Sequence, residues 1–192
     1  MPRAIYEMPA DQSAPAVYLT FDDGPHPVVT PFVLQQLQQF EALATFFMVG
    51  NNITKHPAIF DEVKNAGHTI GNHTYNHLNG YKTSVDKYLE NVLKASGTID
   101  GKKFRPPYGR INKKQALSIN NAGLELVMWS LLSGDFDAST SSQKCLSNVI
   151  NNIKPGDIVV FHDSEKAFSH LQFVLPKVLS FCVCKGWQMK GL

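Results

Sequence analysis

Cysteine is scarce in this chain, three residues in 192. An odd, small number excludes a disulfide framework and leaves stability to a packed core, which a chain of this length can bury. Cys182 and Cys184 in the apolar stretch Val178 to Val183 could form a C-x-C metal or redox pair; we read them as small buried core residues. Charge is also sparse. Charged residues make up 18% of the chain and the formal net charge is only +2, so neither a nucleic-acid footprint nor a polybasic membrane patch is expected. No run of about 18 apolar residues is present, and no bilayer span is expected. Internal repeats, low-complexity tracts and linkers are lacking too. Residues 1–9 hold one arginine and no apolar core of a secretory signal. The expected compartment is therefore the cytoplasm as the sequence stands, or an exported one if a signal has been removed.

What the chain does contain is alternation. The run Val17 to Phe21 reads as a strand that stops at Asp22-Asp23-Gly24. Pro25-His26-Pro27 keeps the following stretch non-helical, and Thr30 before Pro31 reads as a helix cap. A strand is predicted over 44–49, a helix over 57–66 closed by Gly67, and a brief strand over 68–70. Ser84 opens a helix, a strand ends near Phe104, and Asn112 opens another helix ending at Gly123. Strand 124–129, a helix from Thr140 or Ser142, strand 157–161, a helix over 168–184 and a short strand over 187–189 complete the pattern. Six or seven such alternations call for a parallel sheet with helices outside, either a closed or nearly closed α/β barrel or an open doubly wound sheet.

Residues with chemical potential sit where these strands end, the position at which α/β barrels place their chemistry. Asp22 and Asp23 are adjacent, so their side chains diverge. One can bind a cation while the other faces a water as general base; a plain Asp-Gly turn is the simpler alternative. His73 and His77, four apart, fall on one helix face or one side of a compact turn, and both can reach one metal unless they are simply two surface histidines among polar neighbours. Two neutral imidazoles with a carboxylate suit zinc, and also cobalt or nickel. Arg105 precedes Pro106-Pro107-Tyr108-Gly109, a stiff segment that can fix a guanidinium beside a carboxylate and hold the Tyr108 N–H as an oxyanion donor, unless it is only a surface connection. His162, delivered by the strand at 158–161, can protonate a leaving amine if it is not simply a core histidine. Asp135, after the strand at 124–129, can favour its imidazolium form.

Together these segments resemble the polysaccharide deacetylase family, the NodB-homology domain of metal-dependent carbohydrate esterases. The resemblance rests on Thr20-Phe21-Asp22-Asp23-Gly24, His73-Thr74-Tyr75-Asn76-His77 and Arg105-Pro106-Pro107-Tyr108, in that order. It covers residues 16–192 as a single domain after an N-terminal extension, 1–15. It implies a distorted (β/α) barrel of about seven parallel strands. It also implies Asp22 as general base, Asp23, His73 and His77 as metal ligands, Arg105 holding Asp22, the Tyr108 N–H facing the oxyanion, and His162 as general acid. Pro107, Phe136 and Val160 would line the substrate pocket. The fourth motif departs from the family pattern: Leu132 replaces an aspartate, and Phe136 stands where a tryptophan is usual. Val160 stands for leucine in the fifth. The implied reaction is removal of N-acetyl groups from an amino-sugar glycan such as chitin oligomers or peptidoglycan, by a protein expected to be monomeric. Rivals are hydrolysis of another amide or ester, such as O-acetyl xylan or a cyclic imide, and a non-catalytic glycan-binding domain with a relict site.

Overall fold

Strand β2 (Ala16–Asp22) is buried on both faces, as the strands of helix-covered parallel sheets are. Its odd positions, Val17, Leu19 and Phe21, join the outer core beneath the helices. Its even positions, Tyr18, Thr20 and Asp22, therefore face the other way, into the concave side of the sheet. The same parity runs through strand β8 (Ile158–His162): Val159 and Phe161 lie in the outer core, while Ile158 packs in a separate interior cluster with Phe47 and Val127.

The computed structural model describes residues 2–192. In chain order the remaining elements are β1 (Ala4–Ile5), α1 (Val29–Gln39), β3 (Thr45–Met48), α2 (Gly50–Lys55), α3 (Pro57–Asn65), β4 (Thr69–Asn72), α4 (Val85–Ser96), β5 (Lys103–Phe104), α5 (Lys113–Asn121), β6 (Glu125–Val127), β7 (Leu131–Leu132), α6 (Ser142–Ile150), α7 (Phe168–Cys184) and β9 (Gln188–Met189). The strands lie in the order β1-β6-β5-β4-β3-β2-β8-β7, with β9 also on β2, and all are parallel.

This order forces curvature. β6 lies beside one edge of the sheet and β7 at the other, yet only Met128–Ser130 separates them in sequence. Three residues reach at most about 14 Å between their flanking neighbours, so the two edges approach each other. Met128 N–H donates to Ile5 O on one side and Ser130 N–H to Ile158 O on the other. The sheet is thus a curled, incompletely closed barrel. Strands β1 and β7, which unlike the equally short β5 and β9 were not expected from the sequence, account for the excess over about seven strands. β1 lies within the segment read as an N-terminal extension.

Helices α1, α6 and α7 cover the β2–β8 side through Val33, Leu37, Cys145, Val149, Leu175 and Leu179; α4 and α5 cover the β5–β6 side through Tyr88, Val92 and Ile119 against Phe104 and Leu126. Local details depart from the sequence expectations. Helix α1 starts before Thr30, and its first N–H groups, from Val28 and Val29, are taken by His26 Nδ1. Helix α2 was unforeseen because GNNITK has no apolar stripe. Cys182 is buried but Cys184 is exposed, since two residues on a helix are about 200° apart. The segment Glu165–Cys184 is long and apolar enough by length and composition to cross a membrane, although it holds no unbroken run of 18 apolar residues; in this fold Leu171, Val174, Leu175, Val178, Leu179 and Cys182 pack in the core.

The Tyr88 hydroxyl is buried without a hydrogen-bond partner, and burial pushes its pKa upward. An unsatisfied buried hydroxyl costs about 1–3 kcal/mol. Tyr88→Phe is expected to raise stability by about 1 kcal/mol, a rise in Tm of roughly 2–4 °C by thermal denaturation; a fall in Tm would show that the hydroxyl is satisfied.

Candidate active site

The concave face meets at the C-terminal ends of the strands. Asp22 and His162 are register partners on adjacent strands, which places both at one level. Arg105 follows β5 and runs inward, fully buried. Its Nη1 donates to Asp22 Oδ1 at 2.8 Å and to Thr20 Oγ1 at 2.7 Å, and its Nη2 to Met128 O at 2.8 Å. The guanidinium lies 4.1 Å from the centre of the Phe47 ring. Gly71 leaves room for that ring: a Cβ there would come within 2.5 Å of it.

Asp23 diverges from Asp22. Its backbone has φ of 87°, a strained value for a residue with a side chain. The conformation is held by Asn52 Nδ2, which donates to Asp23 O at 2.8 Å, and by the Asp23 N–H to Phe47 O. Asp23 Oδ1 consequently lies 3.1 Å from His77 Nε2 and 3.7 Å from His73 Nε2. The two histidines are not on a helix. Thr74 and His77 both have left-handed φ, 64° and 54°, and form a compact turn. Asn72 Oδ1 accepts the Thr74 N–H, and Asn91 Oδ1 from α4 accepts those of Tyr75 and Asn76.

The three donor atoms lie within 4.8 Å of one another. Ligands about 2.0–2.2 Å from a tetrahedral cation stand roughly 3.3–3.6 Å apart, so the set fits a divalent ion after small adjustment. His73 Nδ1 is 2.7 Å from the Arg105 carbonyl. A carbonyl can only accept, so Nδ1 carries the proton and Nε2 keeps a free lone pair in the neutral ring. Burial holds His73 down at about 4, against the opposing charges of Asp22 and Asp23, and the ring is neutral near pH 7. Burial opposes ionisation of Asp23, but the His77 hydrogen bond and nearby imidazoles outweigh it and hold its carboxyl well below the usual range.

Opposite this triad, Asp135 is fully buried and takes both the backbone N–H and Nδ1 of His162, each at 2.8 Å. Burial alone would favour neutral imidazole; the hydrogen bond and charge of Asp135, followed by the charges of Asp22 and Asp23, reverse that and raise His162 to about 9. Phe136 packs edge-on against the His162 ring, centres 5.2 Å apart.

A cavity of about 680 Å³ is lined by Asp22, Asp23, His73, His77, Tyr108, Trp129, Leu132, Phe136, Val160 and His162 among others. Arg105 and Asp135 lie behind it and act on it through Asp22 and His162. Pro107 does not line it: it is buried at the start of a one-turn 3-10 segment, Pro107–Gly109, and the exposed Tyr108, φ 60°, faces the cavity instead. That segment closes through Gly109 N–H to Pro106 O and Arg110 N–H to Pro107 O, leaving the Tyr108 N–H outside its ladder. Asn52, Asn72 and Asn91 escaped sequence reading because a lone asparagine carries no spacing signal, and the sequence reading assigns no role to Thr20 or Trp129.

Asp163, part of the Phe161-His162-Asp163 segment, had no role assigned. It is buried, accepts the Gly24 N–H and the Thr30 hydroxyl, and gives its own N–H to Asp22 O. Gly24 packs against its carboxyl with no space for a Cβ. Burial raises Asp163 to about 8.

Comparison with known proteins agrees with this arrangement. A sequence profile described as polysaccharide deacetylase matches residues 10–127. A peptidoglycan-N-acetylglucosamine deacetylase of Bacillus cereus is 38% identical over 195 aligned positions, covering 95% of this chain and 88% of that protein. A chitooligosaccharide deacetylase of Azorhizobium caulinodans is 36% identical over 162 positions, 79% of this chain and 75% of that one. A crystal structure of a peptidoglycan N-acetylglucosamine deacetylase superposes with a TM-score of 0.92 at 31% identity, over 98% of this chain and 90% of the other. The profile match stops at residue 127, while the alignment with the Bacillus cereus relative extends over 95% of the chain.

Two outcomes follow. Because the folded pKa of His162 is raised from 6.5 to about 9, its contribution to stability is full below pH 6.5 and lost as pH rises through 9. Asp135→Asn should move the NMR titration of His162 to below 6.5, and the stability gap between the two proteins, read by chemical denaturation, should narrow from pH 6 to pH 10. An unmoved titration would sever Asp135 from His162. Separately, His77→Ala should weaken zinc binding by more than the roughly 10–100-fold typical of outer-shell changes, giving less than one equivalent retained after dialysis; stoichiometric retention would exclude His77 as a ligand.

Proposed function

The chain belongs to the polysaccharide deacetylase family, and from that premise we propose that it hydrolyses the N-acetyl group of an amino-sugar glycan, releasing acetate and a free amine. The observation that carries this reading is the division of labour between two adjacent carboxylates: Asp22 is bound to Arg105, Asp23 faces two imidazoles, and His162 stands across from both.

Asp23, His73 and His77 would hold the cation, for which zinc suits the donor set best and cobalt or nickel are acceptable. When bound, it supplies a Lewis acid that polarises the acetyl carbonyl and lowers the pKa of water. Asp22 takes a proton from the attacking water. Arg105 keeps that carboxylate oriented by its 2.8 Å bond. As the carbonyl carbon becomes tetrahedral, the Tyr108 N–H donates to the developing oxyanion, a role consistent with its place outside the turn's ladder. His162, protonated on Nδ1 toward Asp135, gives its Nε2 proton to the leaving nitrogen as the C–N bond breaks. Trp129, Leu132, Phe136 and Val160 provide apolar walls for the acetyl group and sugar ring.

Zinc-loaded protein is expected to release acetate from N-acetylated oligosaccharides. Asp22→Asn should lower kcat about 10²–10⁴-fold while retaining one equivalent of zinc, since Asp22 lies outside the donor triad. Thermal denaturation controls for the buried Arg105 charge this change leaves unpaired. Near-normal turnover in a folded, zinc-bound variant would remove Asp22 from the role of base.

A further inference from the structure

The cavity continues into a second depression of about 660 Å³, lined by His77, Leu78, Asn79, Lys82, Thr83, Ser84, Lys87 and Tyr108. His77, Asn79 and Tyr108 belong to both, so the two form one groove. Its charges are one-sided. The second depression contains Lys82 and Lys87 and no acidic residue, and the rim of the first adds Arg110 and Lys166. The only acids lining either part are Asp22 and Asp23, already engaged with Arg105 and with the imidazoles.

Among the described residues, none of Lys82, Lys87, Arg110 and Lys166 makes a salt bridge within 4.0 Å, whereas Lys64, Lys103 and Lys154 elsewhere on the surface do. The nearest acids by sequence are Asp86 and Glu90 beside Lys87 on α4 and Glu165 before Lys166, and the charge of Lys166 also reaches Asp137 beyond Phe136; none of the four lines the groove or stands within 4.0 Å of these cations. Other depressions lack this bias: one carries Glu41 and Glu62 without a lysine, and a smaller one is lined by both Arg3 and Glu125. A net charge of only +2 makes four free cations around one groove a local concentration. Two exposed aromatic rings accompany them. Tyr108 stands at the junction, and Tyr81 carries the Arg110 guanidinium 5.6 Å from its centre, giving flat apolar surface for sugar rings beside positive charge.

We propose that this groove is a subsite for carboxylates borne by the glycan, so that the preferred substrate is an acidic N-acetylated amino-sugar polymer, with carboxylates on sugars or substituents next to the residue being deacetylated, and not a neutral one. The proposal rests on the deacetylase reading above and specifies its substrate. Lys82 and Lys87 hold carboxylates on the side of Tyr108 away from His162. Arg110 and Lys166 flank the reacting residue. Each contact is solvent-exposed, so the preference is modest per lysine and strongly screened by salt.

The test compares zinc-loaded full-length protein on peptidoglycan-type oligosaccharides and on the same oligosaccharides with their carboxylates converted to methylamides. At an ionic strength of about 0.05 M we expect kcat/KM to be roughly fivefold to tenfold higher for the acidic form, through KM, with the ratio falling toward one at about 0.5 M salt. In Lys82→Gln/Lys87→Gln, both exposed positions, the ratio should collapse at low salt as well. Equal kcat/KM for the two forms, or a preference that survives the double substitution, overturns the proposal while leaving the deacetylase reading intact. No acetate from either form defeats that reading instead; titrating both oligosaccharides into the protein by calorimetry then still decides the charge preference, with equal affinities overturning it.

Discussion

The interaction on which the structure depends is the buried pair between Arg105 and Asp22. A guanidinium inside a barrel is costly to desolvate, and it is tolerated only where every donor is used. Here Asp22, Thr20 and the carbonyls of Met128 and Val127 engage all three of its nitrogens, and the Phe47 ring covers one face. Burial pulls the Arg105 pKa down and the Asp22 carboxylate opposes it. The same residue's carbonyl accepts from His73 Nδ1. One residue thereby orients the carboxylate proposed as base, sets the tautomer of a candidate metal ligand, and fills the interior that the curled sheet encloses.

Around this pair the backbone is held in conformations that side chains disfavour. Four of the five non-glycine residues with positive φ, Asp23, Thr74, His77 and Tyr108, line or adjoin the site. Each costs of order 1–3 kcal/mol, and Asn52, Asn72 and Asn91 compensate by hydrogen-bonding the adjacent chain. A donor triad fixed in this way does not have to be assembled when a cation arrives. Asp163 extends the same principle to the opposite wall. Its contacts with Asp22, Gly24 and Thr30 join the strand end that carries His162 to the loop that carries Asp23.

Electrostatics divide the site into two halves. On one side burial keeps His73 neutral, which a ligand requires. On the other a buried carboxylate keeps His162 protonated, which a proton donor requires. Two imidazoles in one cavity are driven in opposite directions because burial dominates at His73, against the carbonyl at its Nδ1, whereas at His162 the hydrogen bond and charge of Asp135 outweigh burial. The departures from the family pattern fall outside these contacts. Leu132 and Phe136 contribute to the apolar wall, and Leu132 is the register partner of Val160.

Much was legible without coordinates. Alternating strand and helix patterns located α3, α4, α5, α7 and most long strands within a residue or two, because apolar periodicity records which face is buried. The pairs Asp22–Asp23 and His73–His77 were legible because short spacings at strand ends are local, whereas Arg105 and His162 took their roles from the family resemblance. Elements with no apolar stripe, such as α2, were not, nor were β1 and β7, although the equally short β5 and β9 were placed. Nor was Cys184, whose exposure depends on helical phase against a neighbour. What the sequence by itself determined was the inventory of reactive groups and the strand parity that turns alternate residues inward. Only the tertiary structure decided that the sheet edges meet across Met128–Ser130, that Asp22 and His162 share one level, and that Lys82, Lys87, Arg110 and Lys166 surround one groove. The reason is physical: parity along a strand is set by local pleat, whereas the proximity of residues far apart in sequence is set by the curvature and register of the whole sheet.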